Sequence, residues 1–182
     1  MKTLIFLFLL IPNILFSQQK SDVIELCGKN SAELFRNAKE WLVLNTKPGN
    51  LFIQIDNPEE QKVIGTGVKK IIYYIQKYRT YIEVNYAISL QFKEGAFDYS
   101  IYIKSIKYED GFEINYEDFK SITTIEGWKT YLKKTGLKPV FNKKIATEGN
   151  RNAYNLLKKD IDGLISELTN YLKSNGKQKI DW

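Results

Sequence analysis

The sequence predicts an α+β domain, in which a curved antiparallel sheet of about five strands carries two main helices on one face. Apolar residues occupy every second position over 82–92 and again over 97–103, which is the period of half-buried strands. Residues 30–44 and 150–174 instead repeat apolar residues at helical spacing. Because each helix has a single apolar stripe to bury, both are expected against the same side of the sheet. The predicted order of elements is β-α-β-β-β-β-α.

The first strand and the first helix are predicted from local signals. Asp22–Cys27 has a strand-like composition, and Cys27 is expected to be a buried residue of that strand. Asn30 can then cap a helix, because Glu33 follows three residues later, as in a capping box. The apolar face of this helix consists of Leu34, Ala38, Trp41 and Leu42. Residues 47–50, which contain a Pro-Gly pair, are expected to form a turn.

A long β region follows. Leu51–Ile55 is predicted as a strand, a turn around Pro58 comes next, and Lys62–Ile75 is predicted as a strand interrupted by two glycines. In the next two strands the apolar residues change from even to odd positions, so their hairpin needs an even-numbered loop, which Glu94-Gly95 supplies. The register that follows pairs Phe92 with Phe97, Leu90 with Tyr99, Ile88 with Ile101 and Tyr86 with Ile103.

Residues 110–146 are expected to be an elaboration of the domain. Thr123 is placed to cap a short helix that carries apolar residues at helical spacing and ends at Gly136. Leu137–Ile145, which is basic and contains a proline, is expected to be a loop or an edge strand. The final helix is predicted over 150–174, where eight apolar residues form one stripe.

The first 17 residues have the pattern of a secretory signal peptide. Lys2 precedes an apolar run over 4–11, and a polar segment follows the leader. The run is shorter than the roughly 20 apolar residues of a spanning helix. We therefore expect export to the periplasm, the outer-membrane surface or the medium, with a single domain over 18–176 and a tail over 177–182. Removal of this leader lowers the formal net charge of +6 to +5, because Lys2 is its one charged residue.

The composition excludes several enzyme classes. The chain has no histidine, and therefore no Ser-His-Asp triad, no Cys-His pair and no His-ligated zinc. Its single cysteine cannot form an intramolecular disulfide. Carboxylates remain as candidates: Asp56, Glu59 and Glu60 cluster in one turn, and Glu109 and Asp110 lie at a strand end. Since turns and strand ends commonly carry such residues, the sequence assigns no catalytic, cofactor-binding or metal-binding residue.

Three segments of the chain resemble a known family. They are Ala38–Leu42, Ile53–Asp56 and Val63–Gly67, and the strand pair over 82–107 follows the same plan. The family is the uncharacterised secreted domain of Bacteroidota known as domain of unknown function 4468. The resemblance covers about residues 21–108 and the final helix. It implies a fold like that of the TATA-binding protein, together with export, and it implies no activity and no catalytic residue.

The face of the central hairpin that points away from the helices is expected to be polar and open. Its predicted residues are Glu83, Asn85, Ala87, Ser89, Gln91, Asp98, Ser100, Tyr102, Lys104 and Ile106. Nucleic acid is not an expected partner, because proteins of this shape that bend DNA present apolar and basic groups on the sheet. The candidate binding surface consists of Tyr81, Asn85, Gln91, Tyr102 and Lys104. Tyrosines on a sheet are commonly explained by strand propensity and half-burial, and stacking of Tyr81 and Tyr102 on a sugar is the alternative.

These observations favour a non-catalytic binding or interaction module of the bacterial cell envelope, which works through the open face and through residues 110–146. The expected partner is an unknown envelope protein, a glycan or a lipid, without a transmembrane segment in the mature chain and without a cofactor. A homo-oligomer through the sheet edge or the open face is a further alternative. The alternative function is a secreted hydrolase that uses carboxylates only, which needs two acids across a cleft, one of them with a raised pKa.

Overall fold

A computed structural model describes residues 18–44, 51–139 and 142–174. The predicted leader over 1–17, the predicted turn over 47–50 and the predicted tail over 177–182 lie outside these residues. The described chain forms an open antiparallel sheet with helices, which confirms the predicted fold class.

Every strand pair in the sheet is antiparallel. The strands are β1 (Gln18–Glu25), β2 (Leu51–Asn57), β3 (Lys62–Ile75), β4 (Tyr78–Lys93), β5 (Ala96–Tyr108) and β6 (Glu113–Ile114). Their order across the sheet is β1-β5-β4-β3-β2, and the two-residue β6 pairs with the end of β5. The long strands β3, β4 and β5 therefore form the centre of the sheet, and the shorter β1 and β2 form its edges.

Two main helices cover one face of the sheet. The helices in chain order are α1 (Ser31–Leu44), α2 (Tyr116–Ser121), α3 (Ile125–Thr135) and α4 (Lys143–Lys173). Both α1 and α4 contact the sheet and each other, and α2 and α3 lie between β6 and α4 in the chain. The fully buried residues between helices and sheet include Leu34, Trp41, Ile88, Phe97 and Leu168. Burial of these large apolar side chains is the main stabilising contribution to the fold.

The predicted register of the central hairpin is confirmed. All four predicted pairs, from Phe92 with Phe97 to Tyr86 with Ile103, are formed. Lys93 pairs with Ala96, so that Glu94 and Gly95 form a two-residue turn, and Gly95 has a φ of 69°. This turn and the alternation of apolar residues specify the same register, because a slip of one position would place the apolar set of one strand on the wet face.

A β-bulge in β5 corrects one part of the predicted open face. Tyr86 pairs with Ile103, but the preceding Asn85 pairs with Ser105, so Lys104 has no opposite residue. The extra residue shifts the alternation beyond it. Ile106, which the sequence analysis assigned to the open face, therefore faces the core and is fully buried.

The final helix begins seven residues earlier than predicted. Asn142 caps α4, because its side chain accepts a hydrogen bond from the backbone N–H of Lys144. The expected loop or edge strand over 137–145 is therefore wrong for its last three residues. Gly149 weakens the helical pattern in the sequence, and the structure gives its reason: a Cβ there would lie 2.8 Å from Cγ1 of Ile75.

Two further local predictions are wrong. Cys27 is exposed in a turn after β1, whereas its neighbour Leu26 is buried and donates its backbone N–H to the carbonyl oxygen of Gly95. The cap of α3 is Thr124 and not Thr123, because the Thr124 hydroxyl accepts the N–H of Gly127. The predicted end of that helix at Gly136 is confirmed, since this residue adopts a φ of 70°.

Candidate ligand-binding pocket

The five predicted binding residues do not form one compact site. Tyr81, Asn85 and Gln91 share one face of β4, and Tyr102 on β5 pairs with Ala87 of the same face. Lys104 is exposed at the bulge. Tyr81 and Gln91 are ten positions apart along a strand, which corresponds to roughly 33 Å. One small ligand cannot contact both ends of this set.

Polar groups near the middle and one end of this face already contact one another. The Lys70 ammonium lies 3.3 Å from the centre of the Tyr81 ring, a cation–π contact between neighbouring strands. The side-chain amide of Asn85 donates to the hydroxyl of Ser105 at 2.9 Å. These contacts use part of the binding capacity of the Tyr81 ring and the Asn85 amide within the protein.

The open face is also more apolar than the sequence predicts. Its β3 row includes Val68 and Ile72, and its edge strands add Val23 and Ile55, all of which are substantially exposed. The prediction considered only the central hairpin, where apolar and polar residues alternate. In β3, by contrast, residues Ile71–Tyr74 are apolar or aromatic on both faces. The sequence there does not alternate between apolar and polar residues, so it does not show which β3 side chains lie on the open face.

A pocket of about 530 Å³ lies where the ends of the central strands meet the insertion over 110–146 and the start of α4. The sheet contributes Tyr73, Ile75, Thr80 and Tyr108, and the turn after β5 contributes Glu109 and Asp110. The insertion contributes Phe112, Ile122, Trp128, Tyr131, Leu132, Leu137, Lys138 and Pro139, and α4 contributes Ala146 and Asn150. Pockets of 300–1,000 Å³ with mainly apolar walls are typical small-molecule sites.

The turn after β5 builds one wall of this pocket. Gly111 adopts a φ of 88°, and the backbone N–H of Tyr108 donates to the carbonyl oxygen of Phe112. Asp110 fixes the turn, because its carboxylate accepts the N–H of Phe112 at 3.0 Å. The chain is thereby directed back along β5, and the Phe112 ring packs edge-on against the Tyr131 ring of α3 with centroids 6.5 Å apart.

Several polar groups converge on this largely apolar pocket. The Tyr108 hydroxyl donates to the side-chain oxygen of Asn150 at 3.0 Å, and the Thr80 hydroxyl donates to Glu109 at 2.9 Å. The indole nitrogen of Trp128 is buried and has no hydrogen-bond partner among the described residues. A buried donor without an acceptor is uncommon in folded proteins and calls for an explanation such as a bound molecule.

Burial and two carboxylates set the protonation of the pocket's phenols. Burial, followed by the charges of Asp110 and Glu109, raises the pKa of Tyr73 to about 12. The pKa of Tyr108 is also raised well above its usual value, first by burial and then by neighbouring groups that include Tyr73 and Asp110. Both phenols are therefore neutral at physiological pH and keep their hydroxyl protons for hydrogen bonding.

A second, smaller groove of about 240 Å³ separates the middle of α4 from the sheet. Tyr86 and Ile101 lie on its sheet side, and Leu164 lies on its helix side. An ion pair between Lys69 and Asp160, at 3.5 Å, crosses its rim. This groove has fewer converging polar groups than the larger pocket, which is the stronger candidate site.

Two general features of functional importance are not found among the described residues. Among them, no group of three or more Cys, Asp and Glu side chains is placed to hold a metal ion. Within the same ranges, no helix is both long and apolar enough to cross a membrane.

Sequence reasoning did not find the pocket. Its individual residues carried weak signals, because Tyr73 and Tyr108 fit strand propensity, and Glu109 and Asp110 fit a strand end. Only the topology brings the ends of β3 and β5 beside α3 and α4. The one usable signal was that the insertion carries Trp128 and Tyr131 on a short helix that needs an apolar surface to cover.

Comparison with known proteins agrees with this architecture. Residues 21–109 match the family described as a domain of unknown function (DUF4468) with TBP-like fold. A TBP-like protein from Parabacteroides distasonis has a similar structure, with a TM-score of 0.56, 10% sequence identity, and coverage of 85% of this chain and 91% of that one. A DUF4468 family protein from Bacteroides ovatus has a TM-score of 0.57, 16% identity, and coverage of 82% and 84%. No curated protein matches the chain.

Proposed function

Residues 21–109 of this chain belong to the DUF4468 domain family with TBP-like fold, and from this premise we propose that the protein is an exported, non-catalytic binding module of the bacterial cell envelope. Its ligand is a small molecule that occupies the aromatic pocket beside the insertion. The family and its fold carry no activity of their own to transfer, because fold alone does not determine function. The proposal therefore depends on the site.

The observation that carries the proposal is the pocket of about 530 Å³ at the junction of sheet, insertion and α4. Its size and its apolar walls are suited to a small organic ligand. Its polar groups are few and are held in place, as the hydrogen bond between Tyr108 and Asn150 illustrates. Positioned polar groups on apolar walls give orientation and specificity to a bound molecule.

The same geometry favours binding over hydrolysis. A hydrolase that works with carboxylates needs two acids on opposite sides of the scissile bond, roughly 5–10 Å apart. The acids of this pocket, Glu109 and Asp110, are consecutive residues, and both are exposed. Each accepts a local hydrogen bond, from Thr80 and from the backbone of Phe112. They are arranged as a rim and not as an acid and base across a cleft.

Export is the second part of the proposal. The leader over 1–17 supports it, because its charged start, short apolar run and polar continuation are those of a cleaved signal. Expression with the native leader, followed by mass measurement of the protein recovered from the envelope, tests it. The expected mass is that of a chain that begins near Gln18. A full-length chain recovered from the cytosol would refute this part.

Ligand binding is tested by thermal unfolding of the mature protein with a small-molecule extract of the envelope. A ligand at about 100 times its dissociation constant stabilises the folded state by about 2.7 kcal/mol. For a chain of this length, that raises the melting temperature by roughly 5–10 °C. The Ala146→Leu variant fills the pocket and should lose the effect, whereas Ala32→Leu on the exposed side of α1 should keep it.

A second blocking variant distinguishes a loss of ligand binding from a folding defect. Leu137 lies at the pocket and is 43% exposed, so Leu137→Trp narrows the entrance without adding volume to the core. We expect this variant to melt at the same temperature as the wild type without extract and to gain less stability with it. Equal stabilisation of the wild type and both pocket variants would refute the pocket as the binding site.

A further inference from the structure

The walls and the mouth of the pocket both carry groups with negative electrostatic potential. Five aromatic side chains from the described part of the chain line it: Tyr73, Tyr108, Phe112, Trp128 and Tyr131. Two carboxylates, Glu109 and Asp110, lie at the same pocket. The faces of aromatic rings carry negative potential and attract cations, and carboxylates add to that attraction.

We propose that this pocket binds an organic cation, in which an ammonium or guanidinium group is attached to an apolar body. This inference rests on the proposed function and specifies the class of its ligand. The aromatic rings accommodate the apolar body and the diffuse charge, and the carboxylates complement the charge at the mouth. Both contribute, because aromatic walls also accept neutral apolar groups, whereas the carboxylates strengthen the preference for a positive charge.

The charges around the pocket agree with a cationic ligand. Among the described residues that line the pocket, Glu109 and Asp110 outnumber the single basic residue, Lys138, which is exposed. Burial is the largest cause of the raised pKa of the Tyr73 phenol, and the charges of Asp110 and Glu109 raise that pKa further. The two acids are therefore close to the interior of the pocket. Each carboxylate accepts one local hydrogen bond and keeps further lone pairs for a ligand. An anionic ligand would meet this negative field directly.

The test uses two probes of nearly equal shape and different charge. Choline carries a quaternary ammonium, and 3,3-dimethylbutan-1-ol carries a neutral tertiary butyl group in its place. Binding to the mature protein is followed by the indole N–H signals in nitrogen–proton correlation spectra. Trp128 lines the pocket and reports binding, and Trp41, a buried residue of α1 that does not line the pocket, serves as an internal control.

We expect the Trp128 signal to shift in both titrations, with choline binding roughly fivefold to tenfold more tightly than the alcohol. Replacement of both acids, Glu109→Gln with Asp110→Asn, should bring that ratio towards one. Lys138→Met should raise the affinity for choline about twofold, because it removes an opposing charge. Glu113→Gln, an exposed acid that does not line the pocket, is the matched control and should change nothing.

Two results would overturn the inference in different ways. Equal affinity for both probes, or a choline affinity that the double acid variant does not lower, would show that charge is not recognised. No shift of Trp128 with either probe would also overturn the cationic class. The proposed function is judged separately, because stabilisation by extract that Ala146→Leu abolishes would still support a pocket ligand of another class.

Discussion

Helix α4 approaches β3 closely at Gly149, and two glycines of the same helix give a matched test of this contact. A Cβ at Gly149 would lie 2.8 Å from Cγ1 and 3.3 Å from Cδ1 of Ile75, whereas a Cβ at Gly163 would meet nothing within 4 Å. Alanine is favoured over glycine inside a helix by about 1 kcal/mol. The two substitutions therefore have the same helix propensity gain and differ in the steric conflict.

The expected magnitudes follow from these two contributions. Gly163→Ala should stabilise the protein by about 0.5–1 kcal/mol. Gly149→Ala adds a methyl group against a packed side chain, which typically costs about 1–3 kcal/mol. Gly149→Ala should therefore be less stable than Gly163→Ala by about 1–3 kcal/mol. Chemical denaturation of both variants measures this difference, which is the difference between their denaturant midpoints multiplied by a common m-value.

A double variant identifies the contact that is responsible. Ile75→Ala removes Cγ1 and Cδ1, so Gly149→Ala should cost much less in that background. The coupling between the two positions is expected to exceed about 0.5 kcal/mol, as it does for residues in contact. Equal stability of Gly149→Ala and Gly163→Ala, with no coupling to Ile75, would refute the close packing of α4 on β3.

Three further predictions concern the pocket phenol, a cap and the cysteine. Tyr73 has a folded pKa of about 12, so its contribution to stability is complete below pH 10 and is lost as the pH rises from about 10 to 12. The free energy of unfolding of Tyr73→Phe, measured against pH, should therefore fall less over that interval than that of the wild type, and parallel curves would contradict this. Thr124→Ala should cost about 1 kcal/mol and increase hydrogen exchange in α3, while exchange in α1 stays unchanged. Cys27 should react with a thiol reagent in the native protein at the rate of an exposed thiol, and slow reaction limited by unfolding would contradict its exposure.

The central hairpin was predictable from the sequence because its signals are local and agree with one another. Alternation from Ile82 to Phe92, the change of parity and the Glu94-Gly95 turn all specify one register. The bulge at Lys104 was not predictable, since no glycine or proline marks it. The predicted start of α4 is too late because Gly149 and the polar residues beside it, Glu148 and Asn150, interrupt the apolar periodicity.

The candidate site was less predictable than the fold. Residues 110–146 are predicted from the sequence as part of the working surface; they contribute walls to the pocket, and their role in binding stays a prediction. The same holds for the candidate residues on the open face, Tyr81, Asn85, Gln91, Tyr102 and Lys104. The pocket itself depends on contacts between residues as distant in sequence as Thr80 and Asn150, which no local pattern encodes.

Native mass spectrometry of the protein purified from the envelope of its own host tests the binding proposal most directly. The wild type should carry a noncovalent small molecule that dissociates on activation, and Ala146→Leu, purified in the same way, should have the mass of the polypeptide alone. A bound molecule on both the wild type and the variant, or on neither, would contradict a ligand in the aromatic pocket.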